Sequence, residues 1–357
     1  MAGSGLGFGG FLVGLGVGWY LFRYIDFSFD IISYLLILMG IGMILSGFLN
    51  RGRTREHPLS GAFGGVVGGL FLAVFLTQGF GIITSFTNEF TDFSSGTYRA
   101  TDTFTLSSPV AGDKIGLSVE SVNGAIEVYS WSGNAVKFDV EVRARGNTDS
   151  EAENRIANFE HDLSSELSGS VQDVTLSFPI PSNQWNYYSV HVEVYVPMGT
   201  AADYNLDTTN GAISLNDITG EMITLTTTNG AITFSDVEAD HIQADTTNGG
   251  ITGAITTAES NLYTTNGGIE IVLSRISGKH TLGVTNGGID ITVPTGSDIG
   301  YKINLDTSIG SVDANLPNMD YSSDRTRTKI GETTNYSNKQ VQIEITAETT
   351  VGGISLN

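Results

Sequence analysis

Cysteine is absent from this 357-residue sequence, and basic residues are few, with 17 lysines and arginines against 38 aspartates and glutamates. Without cysteine the chain can form no disulfide, no thiolate zinc site and no cysteine nucleophile. The net charge of -21 would repel phosphate backbones, so we expect no nucleic-acid partner. The five histidines are scattered without metal-ligand spacing, and we therefore expect neither a metal nor a cofactor.

Long apolar runs are missing after residue 86, but three of them, 6–22, 31–49 and 59–86, fill most of the sequence before it. As helices, the first two would be about 26 and 28 Å long, close to the roughly 30 Å hydrocarbon core of a bilayer. No basic residue precedes the first run and two more runs follow it, which disfavours a cleaved signal peptide. Residues 1–86 are therefore predicted to be an α-helical membrane anchor with three spans. These spans lack ionisable residues, which disfavours a transporter or channel.

Three of the four arginines in the anchor lie in the short connection 51–58, which the positive-inside rule places in the cytoplasm. The amino terminus is then cytoplasmic, and all that follows the third span is outside the cell. We predict a multi-pass plasma-membrane protein in contact with the lipid bilayer, with a stalk at 87–101 and an extracellular domain at 102–357. Glycines at four-residue spacing in the first and third spans permit close helix packing, within the chain or in a homo-oligomer.

The exterior domain contains a repeat whose signature is Thr-Thr-Asn-Gly, with a period near 19 residues. An isoleucine follows each asparagine by three positions, and the repeat core is assigned to residues 204–315. The segment 316–349 departs from the pattern and receives no assignment. The residues predicted to form the repeat turns are Asn210, Gly211, Asn229, Gly230, Asn248, Gly249, Asn266, Gly267, Asn286 and Gly287.

Each repeat predicts two short strands and two turns. Apolar and polar residues alternate before the Asn-Gly pair, glycine supplies the positive φ of a tight turn, and the isoleucine begins a second strand. Asn-Gly is also a strong hairpin signal, so an antiparallel meander fits as well. The nearly constant period favours a β-solenoid, in which every coil must match its neighbours. The asparagine row is interpreted as a stabilising amide ladder rather than a ligand site.

A helix signal lies between the first strands and the repeat. Ser150 and Glu153 have capping-box spacing, and Ile156, Phe159, Leu163 and Leu167 follow as an apolar stripe, which predicts an amphipathic helix over 151–167. We expect this helix to cover a face or an end of the β structure.

The order of these features, from alternating strands through the helix to Val194-Tyr195-Val196-Pro197 and the first Thr-Thr-Asn-Gly, resembles a known family. It is similar to the "putative adhesin" family of β-solenoid domains, a domain of unknown function related to the toastrack domains of envelope-stress proteins. The resemblance covers residues 100–357. It implies an all-β, right-handed solenoid with a cell-envelope role, and it carries no catalytic residues.

An enzymatic function is the main alternative, because β-helices host polysaccharide-processing enzymes. Asp207 and Asp245 lie in one outward column, two coils or about 9.6 Å apart. That separation is too large to share a calcium ion and lies at the limit for an inverting carboxylate pair. We therefore predict no enzymatic activity, and interpret the spacing as one that avoids like charges on adjacent coils.

Three aromatic residues, Trp185, Tyr187 and Tyr188, occupy one predicted loop. They either bind a partner, such as an envelope protein or glycan, or cap the hydrophobic end of the solenoid. The predicted function is a membrane-anchored cell-surface interaction module for adhesion, envelope sensing or scaffolding. The alternatives are a cell-envelope polysaccharide-processing enzyme and a purely structural envelope component.

Overall fold

Strands, most of them with alternating buried and exposed residues, make up 69% of residues 98–357, which are the residues that the computed structural model describes. The predicted membrane spans and residues 87–97 of the predicted stalk lie outside them. No helix among the described residues is long and apolar enough to cross a membrane. The elements are β1 (Tyr98–Pro109), β2 (Lys114–Asn123), β3 (Ile126–Trp131), β4 (Ala135–Gly146), α1 (Asp149–Ala157), β5 (Asp162–Ser168), β6 (Val171–Ser177), β7 (Tyr188–Pro197), β8 (Ala201–Asn210), β9 (Ile213–Asn216), β10 (Thr219–Asn229), β11 (Ile232–Asn248), β12 (Ile251–Asn266), β13 (Ile269–Leu273), β14 (Gly278–Asn286), β15 (Ile289–Thr292), β16 (Ile299–Ile309), β17 (Val312–Ala314), β18 (Met319–Asp324), β19 (Thr328–Thr333), β20 (Val341–Val351) and β21 (Ile354–Leu356).

The strands of successive repeats pair in parallel, which is the pairing of a solenoid and not of a meander. The strand segments that lead up to a corner asparagine form a first layer, and those that begin after it form a second layer. The long strands β11 and β12 contribute their first part to the second layer and their last part to the first. In the first layer Leu206 lies beside Leu225, and in the second Ile213 lies beside Ile232. All four side chains are fully buried, so the core runs between the two layers. The all-β prediction is confirmed for the described residues.

The coils at both ends are out of chain order. Near the carboxyl end, β20 and β21 lie between the coil of β14 and β15 and the coil of β16 and β17. Near the amino end, β2 and β3 lie between the coil of β6 and β7 and the coil of β8 and β9. The strands of the last unit of the predicted repeat core, 299–314, therefore do not pair with the coil that precedes them in sequence.

Antiparallel strands close both ends of the solenoid. At one end β5 pairs with β6, while β4 pairs with β7 and β1. At the other end β19 pairs with β16, and β18 pairs with β19. These two strands occupy residues 319–333 of the unassigned segment 316–349, and its last part, from Val341, belongs to β20. Closing strands of this kind cover the backbone groups that an open sheet edge would present to another chain.

The helix is shorter than the sequence indicated. It covers Asp149–Ala157, and its N-cap is Thr148, whose Oγ1 accepts a hydrogen bond from the Glu151 N–H at 3.2 Å. The second half of the predicted helix is strand β5, because its backbone pairs with β6 and closes the sheet edge. Leu167, assigned to the apolar stripe, is 56% exposed. The helix packs against β1 and β4 at the amino end of the core, as an end cover.

The corner glycines are required for a different reason from the one expected. Gly211, Gly230, Gly249 and Gly267 do not adopt a φ in the left-handed region. Instead, their backbones approach the preceding coil so closely that a Cβ at Gly230 would lie 1.8 Å from the carbonyl oxygen of Gly211. Only glycine permits that approach. At Gly287 a positive φ of 151° adds to the same crowding.

Candidate interaction surface

The aromatic residues of the predicted partner-binding loop, Trp185, Tyr187 and Tyr188, mostly pack against other residues of the protein. Tyr188 is 8% exposed, and its hydroxyl donates to the carbonyl oxygen of Arg155 at 3.2 Å. The ring of Tyr187 lies 3.7 Å beneath the Arg155 guanidinium. Trp185 is 39% exposed, although its indole N–H donates to the carbonyl oxygen of Ile180 at 2.9 Å. Of the three, Trp185 presents the most ring area to a partner.

The corner asparagines form a continuous amide ladder along the first layer. Each Nδ2 donates to the Oδ1 of the asparagine in the preceding coil, and Asn123 ends the series by donating to the carbonyl oxygens of Trp185 and Tyr188. The interaction thus runs along the solenoid axis and stabilises the stack of coils. The Nδ2 to Oδ1 distances are 2.5 Å from Asn210 to Asn123, 2.6 Å from Asn229 to Asn210, 2.7 Å from Asn248 to Asn229, 2.8 Å from Asn266 to Asn248 and 3.0 Å from Asn286 to Asn266.

A second ladder, inside the core, was not foreseen. In four of the five signatures the residue two positions before the corner asparagine is a buried threonine, and its hydroxyl donates to the carbonyl oxygen of the corner glycine one coil earlier. Thr227 reaches Gly211, and Thr246 reaches Gly230, each at 2.9 Å. This role was not predicted from the sequence, although threonine recurs two positions before asparagine in four of the five signatures.

Acidic residues do lie on adjacent coils, contrary to the expectation that the outward column avoids them. Inserting β2 beside β8 places Glu120 in register with Asp207, and inserting β20 beside β16 places Glu348 in register with Asp306. Burial, and secondarily the charge of Glu120, raises the pKa of Asp207. The out-of-order coils create both pairs, so sequence spacing could not show them.

Among the described residues one histidine is buried. His280 is 3% exposed, and its Nδ1 lies 2.9 Å from the hydroxyl of Ser260, itself fully buried. Burial lowers the pKa of His280 to about 4, so the imidazole is neutral in the folded protein at neutral pH.

The outer side of the second layer carries a cluster of aromatic residues near the amino end, which we name the aromatic surface. It consists of Tyr129 and Trp131 on β3 and Tyr195 on β7, all half-buried. The two tyrosine rings are stacked with centroids 5.6 Å apart, and the Trp131 ring lies 6.2 Å from that of Tyr195. Because parallel strand register places Tyr129 opposite Tyr195, the sheet itself fixes the spacing of the rings.

Charged residues flank these rings, a lysine in the same row of the sheet and two glutamates in the next row. In the row of the tyrosines, Lys137 on β4 lies beside Tyr195, with its Nζ 4.4 Å from the ring centroid. In the next row, Glu127 on β3 lies opposite Glu193 on β7. Tyr129 donates its hydroxyl hydrogen bond to Glu127, and Tyr195 donates to Glu193 at 2.6 Å.

These hydrogen bonds, with burial as the lesser cause, raise the pKa of Tyr129 and of Tyr195 to about 12. Both rings therefore stay neutral at physiological pH. The aromatic surface was missed in the sequence, although the tripeptide Glu-Val-Tyr occurs at both 127–129 and 193–195 and could have indicated the matched strands.

A second open surface lies on the first layer. A groove of about 530 Å³ is lined mainly by threonines, together with Asp245, Tyr263 and Glu348. Tyr263 is 42% exposed, and one edge of its ring occupies the space that a side chain at Gly283 would take. This groove offers a single aromatic ring, against three on the aromatic surface.

Several solved structures are similar to this chain at low identity. A crystal structure of a "putative cell adhesion protein" from Clostridium sporogenes is 14% identical, covers 72% of this chain and 98% of its own, and has a TM-score of 0.32. A "putative adhesin" from Bacteroides fragilis is 12% identical, covers 73% and 100%, and has a TM-score of 0.36. A "putative adhesin" from Parabacteroides distasonis is 14% identical, covers 71% and 97%, and has a TM-score of 0.31.

No curated protein sequence matches the chain. The family described as Toastrack DUF4097 matches residues 165–356, which is more than half of the 357 residues. The matched region begins within β5 and includes every coil of the repeat. The chain belongs to the Toastrack DUF4097 family.

Proposed function

We propose that the chain is a membrane-anchored cell-surface interaction module without catalytic activity, and that it binds its partner through the aromatic surface. The observation that carries the proposal is the cluster of Tyr129, Trp131 and Tyr195, whose rings are partly open to solvent on a rigid sheet. Tyrosine and tryptophan dominate the binding energy of many interfaces, because they bury a large area at little cost in conformational entropy.

The anchor is inferred from the apolar runs of residues 1–86, and the exterior location from the arginine cluster at 51–58. Protease added to intact cells should remove the domain that follows residue 86 and leave the loop 51–58 uncut. Protection of the β domain in intact cells would contradict this orientation.

Binding is tested with the full-length protein in detergent, added to immobilised envelope polysaccharide and envelope protein fractions. A triple variant, Tyr129→Ala, Trp131→Ala and Tyr195→Ala, should reduce binding at least ten-fold, as loss of a hot-spot cluster does. Tyr263→Ala, which removes an exposed ring from the other layer, serves as the matched control and should leave binding unchanged. Equal binding by both variants and the unmodified protein would refute the proposal.

A second candidate function is polysaccharide hydrolysis, which one observation favours. Asp207, with its raised pKa, lies in register with Glu120, and glycoside hydrolases pair a carboxylic acid with a carboxylate. Incubation with envelope polysaccharides would then release reducing ends, and Asp207→Asn would abolish the release. Asp290→Asn, an exposed carboxylate on the other layer, is the control.

A purely structural envelope component is the remaining alternative. It predicts that the triple aromatic variant and the unmodified protein recover the same amounts of polysaccharide and protein from envelope extract. A difference between the two pull-downs would favour the interaction module.

A further inference from the structure

We propose that the aromatic surface binds glycans that carry free amino groups. This inference rests on the proposed function, because it names the ligand class of the same surface. The ring of Tyr129, the outer member of the stacked tyrosine pair, packs against the C–H face of a sugar. The carboxylates of Glu127 and Glu193 bind the ammonium group that the sugar carries.

Glu127 and Glu193 are the two carboxylates of this surface that have neither a lysine nor an arginine as ion-pair partner. Asp139, in the same row, forms an ion pair with Lys137 at 2.5 Å, and Glu141 forms one with Arg143 at 2.5 Å. By contrast, no lysine or arginine among residues 98–357 forms an ion pair with Glu127 or Glu193.

The nearest basic group to both carboxylates is the imidazole of His191, whose Nε2 is 3.9 Å from Glu127 and 3.8 Å from Glu193. The two glutamates are directly opposite each other on neighbouring strands, where like charges destabilise a sheet. Their side chains are 32% and 38% exposed, so a ligand can reach them. A bound ammonium group would therefore relieve their repulsion.

The rings of this surface already hold one ammonium group. Lys137 Nζ lies 4.4 Å from the centroid of Tyr195 and 5.9 Å from that of Trp131, within the range of cation–π attraction. On the other side of the tyrosine pair, the register neighbour of Tyr129 is Asn216, an uncharged amide. The ligand's cation is accommodated on that side, away from Lys137 and beside the glutamates.

The polar surroundings favour a glycan over a protein. The two rows that cross β4, β7, β3 and β9 contain no aliphatic side chain, whereas the centre of a protein interface is depleted in charge. A sugar ring combines an apolar C–H face with a rim of hydroxyl and amino groups, which matches rings that lie beside carboxylates. The eight residues of the two rows are Lys137, Tyr195, Tyr129, Asn216, Asp139, Glu193, Glu127 and Ser214.

The test titrates the full-length protein in detergent with three hexasaccharides: glucosamine hexamer, N-acetylglucosamine hexamer and cellohexaose. The glucosamine hexamer should bind most tightly, with an affinity that falls as salt is raised. The double variant E127Q/E193Q should weaken its binding roughly ten-fold, as expected for two exposed charge contacts, and leave the two uncharged hexamers unaffected.

The matched control is E270Q/D290N. Glu270 and Asp290 are also opposed carboxylates on neighbouring strands of the second layer, but neither forms a ring contact or an ion pair with the described residues. This variant has the same net charge as E127Q/E193Q and should bind the glucosamine hexamer like the unmodified protein. Melting temperatures no lower than that of the unmodified protein verify that both variants are folded, since each substitution removes a repulsion between opposed carboxylates.

Equal binding of glucosamine and N-acetylglucosamine hexamers, or an equal loss in the two charge variants, would overturn the assignment. Tighter binding of hexalysine than of the glucosamine hexamer would reassign the surface to a basic protein segment. If no hexamer binds while the triple aromatic variant still loses envelope binding, the ligand class is wrong and the interaction function stands. If the triple aromatic variant also binds the envelope fractions as well as the unmodified protein does, both the ligand class and the interaction function are refuted.

Discussion

Between Ala201 and Thr292 each coil pairs with the coil that follows it in the chain, whereas at both ends a coil from elsewhere in the sequence is inserted. The middle is held by repeated local rules: an asparagine ladder, a threonine ladder and corner glycines. The ends depend on contacts between segments that lie tens of residues apart. The middle can therefore form coil by coil, while each end requires a distant segment to arrive.

The largest expected effect separates one end from the middle. Deleting Val341–Asn357 removes the coil that lies between β14 and β16, so β16 to β19 lose their attachment to the solenoid. Hydrogen exchange should show full loss of protection over residues 299–333, with protection retained over 201–270. Uniform loss across both regions would mean that the middle depends on this end.

A smaller effect tests how closely the corner glycines of adjacent coils approach each other in the middle of the solenoid. A Cβ at Gly249 would lie 1.8 Å from the Gly230 carbonyl oxygen, but one at Gly250 would lie 3.3 Å from that of Gly268. Gly249→Ala should lower the local opening free energy of β11 and β12 by about 3 kcal/mol. Gly250→Ala, the control, should change it by less than about 1 kcal/mol, because Ala212 and Ala231 occupy the equivalent positions. Hydrogen exchange measures both, and equal effects would contradict the crowding argument.

Acid should weaken the middle through His280. Its pKa is about 4 when folded, below the ordinary 6.5, so the unfolded chain binds more protons between these values. The stability contributed by the neutral imidazole is present above pH 6.5 and lost as pH falls towards 4. At pH 4.5 the loss should be roughly 2–3 kcal/mol, at 1.36 kcal/mol per pKa unit.

Thermal melting at pH 7.5 and pH 4.5 measures this loss in the unmodified protein and in His280→Leu, which should lack the dependence attributable to this residue. His241→Leu is the control, because the His241 side chain is 55% exposed. An unchanged pH dependence in His280→Leu would show that other groups cause the acid sensitivity.

The smallest effect concerns the threonine ladder. Thr246→Val removes the hydroxyl that donates to the Gly230 carbonyl oxygen at 2.9 Å and should cost about 1 kcal/mol. In the signature that ends at Gly287, Val284 already occupies this position, so Val284→Thr should stabilise by a similar amount. Melting temperatures should shift in opposite directions by about 2 °C. Shifts of the same sign would exclude the hydroxyl as the cause.

The stacking of coils in the middle of the solenoid could be predicted from the sequence, because neighbouring coils there are also neighbours in the chain. Asn210 and Asn229 are 19 residues apart and one coil apart, so the period alone placed them side by side. The reason for the corner glycines was not accessible, since the approach of Gly230 to Gly211 is a property of the stacked backbones rather than of one turn.

The coil order at the two ends and the aromatic surface could not be predicted from the sequence in this way. Tyr129 and Tyr195 are separated by 66 positions, and their contact depends on the insertion of β3 beside β7. The helix prediction was wrong at 158–167. The apolar stripe there indicated a helix, but the pairing of β5 with β6 makes most of this segment a strand. Tertiary contacts decided both outcomes, as they do where local preferences are weak.

The insertion of β20 and β21 imposes an order on biosynthesis. A ribosome produces residues 299–333 before 341–357, yet the later segment separates the earlier one from the coil of β14 and β15. The earlier segment must therefore wait for the later one, or leave a position that it has taken too soon. The free edge of β14 and β15 is exposed during that interval, which is when a nascent chain most needs protection from pairing with another.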